Sequence, residues 1–134
     1  MRRNHGIANG YRSGLEDNIA KQLETLGIDG EYEKHKVTYT QPAKKRKYTP
    51  DFWLKGPNGQ IVIETKGRFV TADRQKHLMI QKEYPDLDIR FVFQNSRAKI
   101  SKGSKTTYGI WCDKNNFKYS DKLIPQEWIK EVGL

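Results

Sequence analysis

A chain of 134 residues with 31% charged and 35% hydrophobic residues has room for one domain and one core, and its three Trp, seven Tyr and five Phe argue against a disordered chain. The formal net charge of +9 points to an anionic partner, most often nucleic acid, with an inert solvated surface as the plain alternative. No apolar run approaches the roughly 20 residues of a spanning helix, the polar start gives no secretory signal, and a single cysteine, Cys112, forms neither an internal disulfide nor a zinc cluster, so a cytoplasmic protein with no membrane partner is expected.

Residues 1–12 read as loose and basic. Ser13 with Glu16 three residues on forms a capping box, and Leu15, Ile19, Leu23 and Leu26 follow at helical spacing before Gly27. A first helix over roughly 14–26 is expected. Glu31 to Thr40 is strand-like, through its β-branched and aromatic Val37-Thr38-Tyr39-Thr40. Pro42 interrupts it and Lys44-Lys45-Arg46-Lys47 follows. Tyr48 to Leu54 reads as a second strand, Gly56-Pro57-Asn58-Gly59 as a turn, and Gln60 to Lys66 as a third, central strand. Thr71 or Asp73 caps a second helix that ends near Pro85 and buries Leu78, Met79 and Ile80. Asp88 to Gln94 is a fourth strand, so strands three and four are joined by a right-handed parallel crossover. Residues 95–105 form a polar loop, Tyr108 to Asn115 a third helix, and Pro125 opens a short last helix with Trp128 and Ile129 inward. The order α-β-β-β-α-β predicts an α+β domain, a mixed sheet flanked by helices.

Three charged residues on the central hairpin are the candidates for chemistry. With a four-residue loop, Lys55 pairs with Gln60 and Asp51 falls opposite Glu64, about 5 Å away on one face. Lys66 shares that face. A three-residue loop shifts every pair by one and separates the acids, and the sequence leaves both registers open. Two converging carboxylates repel unless a cation intervenes, and paired hard oxygens suit Mg²⁺. Lys66 beside them can orient or deprotonate a nucleophile, or hold a phosphate oxygen. The plain alternative is a structural salt bridge from Lys66 to Glu64 or Asp51. Glu16 borders the buried face of the first helix and is a third acid, with the capping box as its competing role. Asp17 is expected to face solvent near the positive helix end. His5, His35 and His77 show no paired ligand spacing, and a surface role is expected for His77. Cys112 is expected in the core, and no Gly-x-Ser-x-Gly elbow occurs.

Pro50-Asp51 followed by Glu64-Thr65-Lys66 matches the PD…(D/E)xK nuclease signature. Arg12-Ser13-Gly14-Leu15-Glu16-Asp17, Tyr48-Thr49-Pro50-Asp51-Phe52, Glu64-Thr65-Lys66-Gly67, Asp86-Leu87-Asp88-Ile89-Arg90 and Asp121-Lys122-Leu123-Ile124-Pro125 stand in the order found in one branch of that superfamily. From Tyr11 to Lys130 the chain resembles the phage endonuclease I family, the Holliday-junction-resolving enzymes of T-odd podophages. The resemblance implies a restriction-endonuclease-like core in a domain-swapped homodimer. It implies metal-dependent cutting of branched DNA, especially four-way junctions, during phage DNA processing in the cytoplasm of an infected host. It makes Asp51, Glu64 and the carbonyl of Thr65 ligands of one Mg²⁺, Glu16 with Asp51 ligands of a second, and Lys66 the catalytic lysine, with Mn²⁺ as a substitute metal. Glu16 would come from the partner chain, because residues 1–40 exchange, 41–47 bridge and 48–134 form the catalytic core of a single nuclease domain. Two departures stand out: a longer Asp51–Glu64 hairpin, and no strongly basic tail after Gly133-Leu134, which is expected to weaken binding to unbranched DNA.

Phosphate contacts are expected from Arg97, Lys99, Lys102 and Lys105 in the loop, Arg74 and Lys76 on the second helix, and Lys44, Lys45, Arg46 and Lys47 in the bridge. The competing functions are another nuclease of the same superfamily, of repair or restriction type, and a non-catalytic branched-DNA-binding protein.

Overall fold

The structure is a computed structural model that describes residues 14–41 and 44–134. Its elements are α1 (Gly14–Thr25), β1 (Val37–Gln41), β2 (Lys44–Tyr48), β3 (Phe52–Gly56), β4 (Gly59–Lys66), α2 (Thr71–Glu83), β5 (Ile89–Phe93), α3 (Tyr108–Lys114), β6 (Lys118–Asp121) and α4 (Gln126–Glu131). A four-stranded sheet runs β3-β4-β5-β6, antiparallel between β3 and β4 and parallel across the other two pairs. The expected mixed sheet and parallel crossover are therefore present. β6 is a strand that the sequence does not announce, and it takes the fourth place in the sheet because β1, the first expected strand, pairs instead with β2 in a separate two-stranded sheet.

Alternation along the strands divides the core in two. Ile61 and Ile63 of β4 point to one face, where Phe52, Leu54 and Val92 meet Ile19 and Leu23 of α1 and Trp128 and Ile129 of α4. Val62 points to the other face, where Phe91, Phe93, Phe69, Tyr48 and Ile80 pack with Trp111 and Cys112 of α3. Cys112 is thus a core residue, as expected.

α1 ends as its glycine predicts. Gly27 is left-handed at φ 69°, with Ile28 N–H donating to Leu23 O and Gly27 N–H to Glu24 O, a Schellman closure. Leu26 falls beyond this stop and is 48% exposed rather than buried. The cap at Ser13 lies outside the described residues.

Other expectations are corrected. The strand expected over Glu31–Thr40 begins only at Val37, because Glu31 and Glu33 take left-handed backbone (φ 40° and 49°). The strand expected over Tyr48–Leu54 is two strands, since Thr49-Pro50 breaks the run: Tyr48 closes β2 and Phe52 opens β3. β2 folds back on β1 as an antiparallel hairpin, with Val37 opposite Tyr48, so residues of the expected bridge lie in a ladder within one chain. The β3–β4 loop is two residues, Pro57 and Asn58, with Gly56 opposite Gly59. A Cβ on Gly56 would lie 2.0 Å from Val132 O, so the C-terminal segment closes on this turn at a place only glycine allows. α2 has Val70 at its N-cap with no side-chain bond, instead of Thr71 or Asp73. Its inward face is Arg74, His77 and Ile80 at three-residue spacing, and Leu78 is turned outward. No helix among the described residues is long and apolar enough to cross a membrane.

Candidate active site

The β3–β4 ladder settles the register left open by the sequence. Phe52 pairs with Ile63 and Lys55 with Gln60, so Asp51 stands one step before the ladder, on the line that leads to Glu64. Pro50 holds Asp51 outside the strand. There one carboxylate oxygen, Oδ2, accepts from the backbone N–H and the hydroxyl of Thr65, each at 2.9 Å.

Glu64 is buried. Its Oε1 accepts from the Tyr48 hydroxyl at 2.7 Å, and its Oε2 lies 4.0 Å from Lys66 Nζ. Lys66 also lies 3.6 Å from Asp73 Oδ1 at the start of α2. The salt bridge considered for Lys66 is thus shared between two carboxylates, at distances too long for a tight pair.

α1 delivers Glu16 to the same place. Glu16 is only 6% exposed, and its Oε2 accepts from the Tyr32 hydroxyl at 2.6 Å. One carboxylate oxygen each from Glu16, Glu33 and Asp51 lies within 4.8 Å of the others. Glu33 is brought in by its left-handed backbone and by its N–H, which donates to Asp51 O at 3.3 Å. Within a single chain, therefore, Glu16, Glu33 and Asp51 converge, with Glu64 and Lys66 beside them on β4.

The electrostatics follow from collecting acids away from water. Burial, then the charge of Asp51, pushes the Glu64 carboxyl up to about 8, against the opposing pull of Lys66 and the Tyr48 hydroxyl. Burial raises Asp51 as well, outweighing its two bonds from Thr65 and the charge of Lys66. Burial and the neighbouring Glu64 hold the Tyr48 phenol well above its ordinary value. Such a site is short of positive charge. Hard carboxylate oxygens at this spacing are a donor set for ions of the Mg²⁺ class, and the residues present fit one.

Three expected residues stand elsewhere. Arg74 is 8% exposed and donates to Phe69 O and Thr71 Oγ1, anchoring the start of α2, so it is not a phosphate contact. His77 is fully buried beneath Tyr48 and Phe91, and burial followed by the charges of Lys66 and Lys76 holds its ring pKa well below the ordinary value, so it is a neutral core residue and not a surface one. Asp17 is buried and paired with Lys21 at 3.2 Å, not turned to solvent. Arg97, Lys99, Lys102 and Lys105 are exposed on the loop after β5, as are Arg46 and Lys47 on β2, and Lys76 is half-buried with Nζ 5.5 Å from the Tyr48 ring centroid. The side chains of Lys44 and Lys45 lie outside the described residues.

The family model for phage endonuclease I matches residues 1–133. The chain belongs to the phage endonuclease I family. It is 57% identical to Endonuclease I of Escherichia phage T7 over 121 residues, which cover 90% of this chain and 79% of that protein. It is 52% identical to Endodeoxyribonuclease 1 of Enterobacteria phage T3 over 121 residues, covering 90% of this chain and 78% of that one. As a phage endonuclease, the chain needs a site that handles a phosphodiester, and the convergence at Asp51 is the candidate.

Sequence reasoning missed Glu33, Tyr32, Tyr48 and Asp73. The acids of Glu31-Tyr32-Glu33 were visible, but only the left-handed turn brings Glu33 to Asp51. Tyr48 stands three residues before Asp51 and reads as an ordinary strand aromatic.

Proposed function

We propose that this enzyme is a structure-selective DNA endonuclease that resolves four-way junctions and other branched DNA by metal-dependent phosphodiester hydrolysis. The observation that carries the proposal is the convergence of Glu16, Glu33 and Asp51 within 4.8 Å, next to buried Glu64 and Lys66. The T7 and T3 relatives bear the names of an endonuclease and an endodeoxyribonuclease, which supports DNA as the substrate. Phage DNA in the cytoplasm of an infected host is the setting that fits.

Asp51 and Glu64, with the Thr65 carbonyl, would hold one Mg²⁺, and Glu16 with Asp51 a second, for which Glu33 would be a further ligand because its carboxylate lies within 4.8 Å of theirs. Ions held there, Mg²⁺ or Mn²⁺, would supply positive charge against the phosphate and would lower the pKa of water so that hydroxide is available as nucleophile. The chain's own residues do the rest. Thr65 fixes one oxygen of Asp51 and so sets the orientation of its carboxylate beside the other acids. Lys66, with three N–H donors and two carboxylates at 3.6 and 4.0 Å, keeps its ammonium near Glu64, where it can hold a phosphate oxygen or orient the attacking water. The exposed cations of the 95–105 loop follow β5, the strand paired to β4, so they flank the site and suit backbone phosphates. No element among the described residues resembles a helix devoted to the major groove, and selectivity would come from branch shape.

A homodimer with exchanged α1 and β1 is part of the proposal. The β1–β2 hairpin is the segment that would open, and exchange would preserve each contact of Ile19, Leu23 and Glu16 while supplying them from the partner. Two sites at fixed separation would cut paired strands. The test is a four-way junction and a linear duplex of matched sequence, each incubated in Mg²⁺ and in EDTA. Paired, metal-dependent nicks confined to the junction are expected. Preferential cutting of linear duplex would indicate a repair or restriction type of nuclease, and binding without cutting a non-catalytic DNA-binding protein.

A further inference from the structure

Glu64 has two oxygens with different surroundings. Oε2 faces Lys66, while Oε1 receives the hydroxyl of Tyr48 at 2.7 Å. Tyr48 is held rigidly for this. It is 1% exposed, and its ring stands edge-on to His77, with centroids 5.3 Å apart and planes at 89°. His77 in turn stands edge-on to Phe91 at 4.9 Å. A stack of three buried rings therefore fixes where the phenol oxygen lies. By contrast, the terminal torsion of a glutamate is broad and intrinsically loose. A buried carboxylate whose only neighbours were acids and one distant ammonium would sample several orientations.

From this geometry we propose that Tyr48 is a positioning residue for the hydrolytic site: its hydroxyl locks the Glu64 carboxylate so that Oε2 is presented to a divalent cation. The proposal rests on the reading of Glu64 as a ligand given above. Donors behind a ligand carboxylate set its orientation, and their loss commonly lowers metal affinity by 10–100-fold. Tyr48 also closes β2, opposite Val37, so it joins the hairpin directly to a site carboxylate.

Tyr48→Phe removes the hydroxyl and keeps the ring against His77. Junction binding in EDTA is expected to match that of the unaltered protein, which reports that the fold is intact. The Mg²⁺ concentration for half-maximal cutting should rise by about ten-fold or more, while the rate at saturating Mg²⁺ stays within a few-fold. Calorimetric titration of the DNA-free protein with Ca²⁺ should show a matching loss of affinity. A purely structural role would lower stability and leave the metal dependence alone. Glu64→Gln combined with Tyr48→Phe should bind Ca²⁺ no more weakly than Glu64→Gln alone, because the hydroxyl acts through Glu64. An unchanged Mg²⁺ curve for Tyr48→Phe, or additive losses in the double variant, would overturn the proposal. If Glu64→Gln itself left Ca²⁺ binding unchanged, the ligand reading would fail first, and the two failures are thereby distinguished.

Discussion

One oxygen of the Asp51 carboxylate accepts two bonds from a single residue, the N–H and the hydroxyl of Thr65, both at 2.9 Å. The contact crosses from the residue before β3 to the penultimate residue of β4. It ties the Pro50-Asp51 corner to the Glu64-Thr65-Lys66 strand end, the two halves of the nuclease signature.

Thr65→Val keeps the N–H and removes the hydroxyl, so Asp51 retains one of its two anchors. Junction cutting should fall by about ten-fold, and Thr65→Ser should restore most of it. Single-turnover cleavage of a four-way junction measures both. Equal rates for Val and the native residue would mean that the backbone bond alone places Asp51.

Arg74 and Lys102 should separate cleanly, although the sequence offers both as phosphate contacts: Arg74 is buried and Lys102 exposed. Arg74→Ala removes two bonds at the start of α2 and should lower stability by about 1–3 kcal/mol, without altering the salt dependence of junction affinity. Lys102→Ala should leave stability within about 0.5 kcal/mol and reduce the slope of log affinity against log salt by about one. Denaturant unfolding and binding across a salt series test the pair.

Metal-free stability should depend on pH in the direction that Glu64 sets. Its folded pKa is about 8, above the ordinary value of 4.5, so between these values the folded state holds a proton that the unfolded state releases. The stability contributed is fully present below about 4.5 and is lost as pH rises through about 8. The raised Asp51 acts in the same sense. In EDTA the Tm should fall between about pH 5.5 and 8.5, Glu64→Gln should flatten that fall, and Mg²⁺ should stabilise most at the alkaline end. Scanning calorimetry with and without Mg²⁺ reads all three.

The proposed exchange of α1 between protomers makes a distinctive prediction for mixed chains. Glu16→Gln and Glu64→Gln homodimers should both be inactive. In a swapped heterodimer of the two, one site carries both substitutions and the other carries neither, so mixing with refolding should recover nicking of one strand. Without exchange each site keeps one lesion and no activity returns. Nicking assays on the mixture decide it.

The hydrophobic periods of Ile19 and Leu23, and of the β4 run, were enough to place the helices and the mixed sheet, because those residues have no other way to be buried. The hairpin register needed the structure, since a turn of Gly-Pro-Asn-Gly is compatible with two pairings. Arg74 and His77 were misread because charged and titratable side chains count as polar in a helical pattern, whereas here α2 buries them by satisfying or neutralising them. Glu33 and Tyr48 were not legible as site residues. Their roles come from a left-handed turn and from the break at Pro50, which bring distant segments together without leaving a periodic trace.

The most direct test of the account is single-turnover cleavage of a four-way junction in Mg²⁺ by the native protein and by Asp51→Asn, with binding measured in parallel. Cutting should disappear in Asp51→Asn while junction affinity is retained, and Glu64→Gln and Lys66→Ala should behave alike. Normal cutting by Asp51→Asn would contradict the account, because the residue on which Glu16 and Glu33 converge would then have no part in the chemistry.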